Sequence, residues 1–75
     1  MEHLPVIDLA ATGRNIKALR VAAGYSVPEL QAALGFANPQ AIYKWQRGDG
    51  SPSVDNLVII AAFLGVKIDD ILIIQ

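Results

Sequence analysis

The segment SVPELQAALGFANPQAIYKWQRG, residues 26–48, decides how this chain is read. Ser26, with Glu29 three residues on, makes a capping-box pattern, and Pro28 falls in the first helical turn, where its missing N–H costs little. Leu30, Ala33 and Leu34 recur at helical spacing, and Gly35 stops the run. After a short turn, Asn38 caps a further helix with Pro39 at its first position, and Gly48 ends it. Ile42 and Trp45 share one face of that helix; Gln40, Tyr43, Lys44 and Arg47 fall largely outside it. The spacing assigns Trp45 to the core, beside Ile42.

Outward from this pair the chain continues as helices. Thr12 is placed to cap a first helix whose apolar face is Ile16, Leu19 and Ala23, with Gly24 following its end. Ser53 caps a fourth helix through Leu64, stopped by Gly65. A short fifth runs through IDDIL, 68–72, with Asp69 and Asp70 suited to its first turn. LPVIDL, 4–9, and ILIIQ, 71–75, are compatible with extended structure. The expectation is one compact, all-α, five-helix domain, with an N-terminal arm over 1–11 and a helical core over 12–72.

Composition narrows the function classes. With 75 residues and no cysteine, neither disulfides nor thiolate zinc ligands staple the fold. The lone histidine, His3, makes no metal site by itself. The hydrophobic fraction is 53% and the mean hydropathy +0.41, high for so small a domain. Yet LVIIAAFLGV, 57–66, is half the ~20 residues that span a bilayer, and the N-terminus carries no signal-peptide pattern. A cytoplasmic protein without a membrane partner is expected. The net charge of −1 is unevenly distributed: residues 14–47 hold five basic side chains against Glu29, giving +4, while the remainder holds Lys67 against six acidic ones, giving −5. A polyanion would face the first set.

The arrangement also carries a resemblance. From Ile16 to Leu72 the chain resembles the lambda-repressor/Cro-like (Xre) helix-turn-helix family: IKALRVAAG, SVPELQAALGF, IYKWQRG, SPSVDNLVIIAAFLGV and IDDIL stand in the family's order and spacing. The resemblance implies a small transcriptional regulator, a repressor in the first instance, binding double-stranded DNA with helix 39–47 in the major groove. It places Pro39, Gln40 and Lys44 at base edges, Gln40 suited to adenine and Lys44 to guanine. Asn38, Tyr43 and Arg47, with Arg14 and Lys17 of the first helix, are placed at the DNA backbone. Four departures stand against the family pattern. Val27 replaces a glutamine, the GFAN turn is one residue longer than the commonest pattern, Asp49 lies in a usually basic loop, and Gln46 replaces a glutamate that pairs with the arginine matching Arg20. The Gln46 carbonyl is still able to accept from that guanidinium. Val27, Asp49 and Gln46 favour the alternative, a protein-interaction module such as an antitoxin or accessory factor with a weakened DNA face.

The apolar surplus lies in the fourth helix. Val54, Leu57, Val58, Ala61 and Leu64 suffice to bury it, leaving Ile59, Ala62 and Phe63 as an outward stripe continued by Ile73 and Ile74. Self-association into a homodimer through these five residues is one reading; coverage by the termini of the same chain is the other. No catalytic constellation, cofactor motif or small-molecule effector site is evident.

Overall fold

The structure, a computed structural model, describes residues 4–75; His3 lies outside them. Five helices follow one another: α1 (Leu9–Ala22), α2 (Val27–Leu34), α3 (Gln40–Arg47), α4 (Val54–Leu64) and α5 (Ile68–Ile71). The expected all-α, five-helix fold is the one found. Each helix contributes one fully buried aliphatic side chain to a common centre: Ile16, Leu30, Ile42, Ile60 and Ile71. At about 1.5–3 kcal/mol for each such burial, these five anchors are a large share of what holds a domain of this size together. Trp45 is buried as expected, with Phe36 edge-on to its ring at a centroid distance of 5.8 Å.

Helix α1 starts earlier than Thr12 would allow. Asp8 is its cap, its Oδ1 accepting from the Ala11 N–H at 2.9 Å. Thr12 instead lies inside the helix, buried, where its hydroxyl accepts the Ile73 N–H at 2.9 Å. A capping threonine and an inward-facing one look alike in sequence; here a partner 61 residues away decides. Ala23, assigned to the buried face, is exposed at the helix end, whereas Ile16 is fully buried and Leu19 half-buried.

The inward face of α4 also differs from expectation. Leu57, Ile60, Ala61 and Leu64 point inward, while Val54 and Val58, expected to bury, are 74% and 53% exposed. The physical reason is that α4 is apolar nearly all round, so hydropathy alone does not mark its inner face. Phe63, placed on the outward stripe, is half-buried and packs on Tyr25 with ring centroids 4.3 Å apart.

The termini pair with each other. Ile7 and Ile74 form an antiparallel bridge, flanked by Asp8 N–H donating to the Ile73 carbonyl (2.8 Å) and Gln75 N–H to that of Val6 (2.9 Å). Asn15 adds a clamp, its Nδ2 donating to the carbonyls of Asp70 (2.7 Å) and Ile71 (3.0 Å) at the end of α5. Residues at both ends are thus tied to α1.

Helix α1 makes its most extensive packing against α3, and two glycines permit the approach. A Cβ on Gly13 would stand 1.7 Å from the Trp45 carbonyl oxygen. Gly48, at φ +80°, would set one 2.8 Å from Ala10 Cα. In a helix interior Gly→Ala ordinarily stabilises by about 1 kcal/mol. At Gly13 the overlap is with backbone, which cannot swing aside as a side chain can, so the steric cost outweighs the propensity gain. Gly13→Ala is expected to destabilise by about 2–3 kcal/mol, lowering the thermal midpoint by on the order of 10–20 °C. Gly50→Ala, where a Cβ meets nothing within 4 Å, serves as the control and should shift stability by no more than about 0.5 kcal/mol. Equal melting of the two variants would show that α1 and α3 are not in backbone contact.

Candidate nucleic-acid interface

The local sequence builds the α2–turn–α3 unit as expected. Ser26 Oγ accepts the Glu29 N–H at 3.2 Å, and Glu29 Oε1 accepts the Ser26 N–H at 2.9 Å. The backbone hydrogen bond from Ser26, with a second from its side chain, holds the Glu29 carboxyl below its ordinary value of 4.5. It therefore stays ionised near neutrality and complements the helix dipole. Val27 packs against the core rather than projecting as a polar contact. Gln31 Nε2 donates to the Phe36 carbonyl at 3.1 Å and closes the turn after α2.

Helix α3 begins one residue later than expected, at Gln40. Pro39 takes the cap position without a side-chain cap bond, and Asn38 Oδ1 accepts the Gln40 N–H at 3.0 Å. The Asn38 side chain thus leaves one of the first amides already satisfied. The division of faces holds: Ile42 and Trp45 are buried, whereas Gln40, Tyr43, Lys44 and Arg47 are exposed together on the outer side. Asn38 is exposed and Pro39 half-buried beside the same helix start. Arg14 and Lys17 are exposed on α1, and with Tyr43, Gln46 and Arg47 they border one groove between α1 and α3. The structure thus gathers four of the expected contact residues, from two helices, onto one flank.

Two details modify the electrostatics. Arg47 Nε donates to Asp49 Oδ2 at 3.0 Å in an exposed ion pair, so its charge is partly engaged within the chain. Arg20 is 8% exposed, and its Nη1 donates to the Tyr25 carbonyl at 2.8 Å. Its Nε and the buried Gln46 Oε1 each lack a partner, so the carbonyl of Gln46 does not take the place of the family's glutamate.

The five residues expected at a subunit interface do not form one uniform surface. Ile59 and Ala62 are exposed on α4, Ile73 and Ile74 lie exposed on the terminal ribbon, and Phe63 turns inward. Sequence reasoning missed Val54 and Val58, which share the outer side of α4 with Ile59 and Ala62. It also missed the floor of the α1–α3 groove, Ala18, Val21 and Ala22. The only sequence signal for that floor was a pair of alanines one turn apart. Among the described residues, no helix is long and apolar enough to cross a membrane, and no His, Cys, Asp and Glu cluster is suited to a metal ion.

A helix-turn-helix family model matches residues 16–71, three-quarters of the chain. No curated protein matches the sequence. Solved structures do. The restriction-modification controller protein C.AhdI from Aeromonas hydrophila superposes with a TM-score of 0.76 at 25% identity, over 85% of this chain and 96% of that one. The clp gene regulator ClgR from C. glutamicum gives a TM-score of 0.74 at 24% identity, over 93% of this chain and 86% of that one. The DNA-binding domain of BldD gives 0.72 at 22% identity, over 88% and 94%. With the family model spanning the second half of α1 and the whole of α2 to α5, the chain belongs to the lambda-repressor/Cro-like (Xre) helix-turn-helix family.

Proposed function

We propose that this chain is a sequence-specific binder of double-stranded DNA acting in the cytoplasm as a small transcriptional repressor, with α3 lying in the major groove. The observation that carries the reading is the outer face of α3: Gln40, Tyr43, Lys44 and Arg47 stand exposed over a buried Ile42 and Trp45. Gln40 and Lys44, one turn apart, reach base edges, with Pro39 at the helix start beside them. Asn38, Tyr43 and Arg47, with Arg14 and Lys17, contact phosphate and fix the register. The names of C.AhdI, a controller protein, and ClgR, a gene regulator, agree with a regulatory role, and that of BldD's DNA-binding domain agrees with DNA binding. The work is binding, not chemistry; occupancy of an operator is the whole mechanism.

The Arg47–Asp49 pair makes a testable feature of this face. A phosphate that takes Arg47 must compete with Asp49, which also repels it. Binding to duplex should weaken steeply with salt, with a log–log slope of about 0.9 per phosphate contacted. Asp49→Asn should strengthen binding about two- to fivefold, and Arg47→Ala should weaken it for all sequences alike. The engaged arginine and the packed Val27 are also what favour the other reading, a protein-interaction module. Salt-independent binding, or none at low salt, would select that one.

The chain acts as a homodimer in this proposal, because one α3 covers only a few base pairs and a two-fold pair reads two half-sites. Ile59 and Ala62, joined by Val54 and Val58, form the contact on α4, with Ile73 and Ile74 as further apolar surface. Phe63 is a poor probe, since its stacking on Tyr25 belongs to the fold. Val58→Glu should leave helical circular dichroism intact and give a monomer in sedimentation. Its DNA affinity should fall by about 100-fold, the avidity of a second half-site. An unmodified chain that sediments as a monomer at working concentration would remove the dimer from the account.

A further inference from the structure

Helices α1 and α3 touch at Gly13 and Trp45 and again at Ala10 and Gly48. In sequence α1 then runs on to Ala18, Val21 and Ala22 while α3 is followed back to Tyr43, and between these stretches lies an open groove of about 780 Å³. That size falls within the range of roughly 300–1,000 Å³ typical of small-molecule sites. Its existence follows from side-chain volume: Ala18 and Ala22 are too short to fill the space beside Tyr43. The groove has an apolar floor of Ala18, Val21 and Ala22, a wall from Tyr43, and three cations around it, Arg14, Lys17 and Arg47. Gln46 also borders it, and its Oε1 is buried without a partner.

We infer that this groove binds an amphipathic anion, an acyl chain with a carboxylate or phosphate head, and that such a ligand displaces DNA. The pairing of surfaces selects the class. A DNA backbone would satisfy the cations but bring no apolar body to cover Val21, Ala18 and Ala22. A neutral apolar ligand would leave Arg14 and Lys17 without counter-charge, Arg47 alone being paired with Asp49. A chain with one anionic head answers both. The head takes Arg14, Lys17 or Arg47, cations assigned above to phosphate, so ligand and duplex exclude one another. The regulatory consequence rests on α3 facing DNA; the binding itself does not.

The test uses the full 75-residue chain, its amide map followed by NMR as decanoate is added below its micelle concentration without DNA. Saturable shifts confined to residues 14–22 and 43–47 are expected. Decyltrimethylammonium, with the same tail and the opposite charge, should bind at least about tenfold more weakly, and acetate should leave the map unchanged. Ala18→Trp, at an exposed position, should fill the groove and abolish the shifts. Val21→Glu, also exposed, should weaken them about tenfold and serves if the tryptophan variant does not fold. In a second arm, decanoate but not acetate at equal ionic strength should release bound duplex. Shifts spread over Val6, Ile7 and Ile74 or over α4, equal binding of the two long-chain ions, or groove shifts that follow protein concentration alone would overturn the inference. That last result would give the groove to a second copy. Duplex binding without decanoate binding overturns this inference and leaves the proposed function standing. Decanoate binding without duplex binding overturns the proposed function, and with it the displacement of DNA, and leaves the groove's ligand standing.

Discussion

The backbone contact between α1 and α3 is the constraint on which the rest of this structure depends. A helix is held at a given height and angle by what lies beneath it, and beneath α3 lies the Gly13 stretch of α1. With no side chain at Gly13, the Trp45 carbonyl approaches the α1 backbone directly, and Gly48 allows Ala10 the same closeness at the end of α3. The same α1 carries Thr12 and Asn15, which hold the tail and the end of α5. One helix therefore sets the position of the exposed polar face and ties both ends of the chain to it. The five buried aliphatic anchors supply stability; the glycine contact supplies geometry.

Charge and apolar surface are sorted by the same packing. Five of the six basic residues lie between Arg14 and Arg47, and all but buried Arg20 are on the surface of α1 or α3. The exposed valines of α4 and the terminal ribbon come from outside that segment. Two side chains temper the basic face. Asp49 holds Arg47 at 3.0 Å, and Gln46, where a carboxylate would pair Arg20, leaves two buried polar atoms without partners. Both departures from the family pattern thus have a structural counterpart, one at the surface and one beneath it.

Much of this was legible in the sequence because it is local. Ser26 with Glu29, Ser53, and the glycines that end the helices act within a few residues of themselves, so motif and structure agree. The faces of α3 were legible because polar and apolar residues alternate there at a clear helical period. Three features were not. Thr12 reads as a cap and is a buried acceptor, because its partner Ile73 is remote in sequence. The inner face of α4 was misplaced by part of a turn, putting Val54 and Val58 inside and omitting Ile60, because residues apolar on every side carry no phase. The α1–α3 groove was invisible, since a cavity made by what two alanines fail to fill leaves no motif.

The central claim is that the outer face of α3, fixed in place by α1, reads DNA sequence. Its most direct test is selection of bound sites from a random duplex library by the unmodified chain and by Lys44→Ala. The account predicts a short enriched motif for the unmodified chain. For the variant it predicts the same motif with preference relaxed at one base position, a loss worth about 1–3 kcal/mol at that position. An unenriched library, or a motif identical for the two proteins, would contradict it.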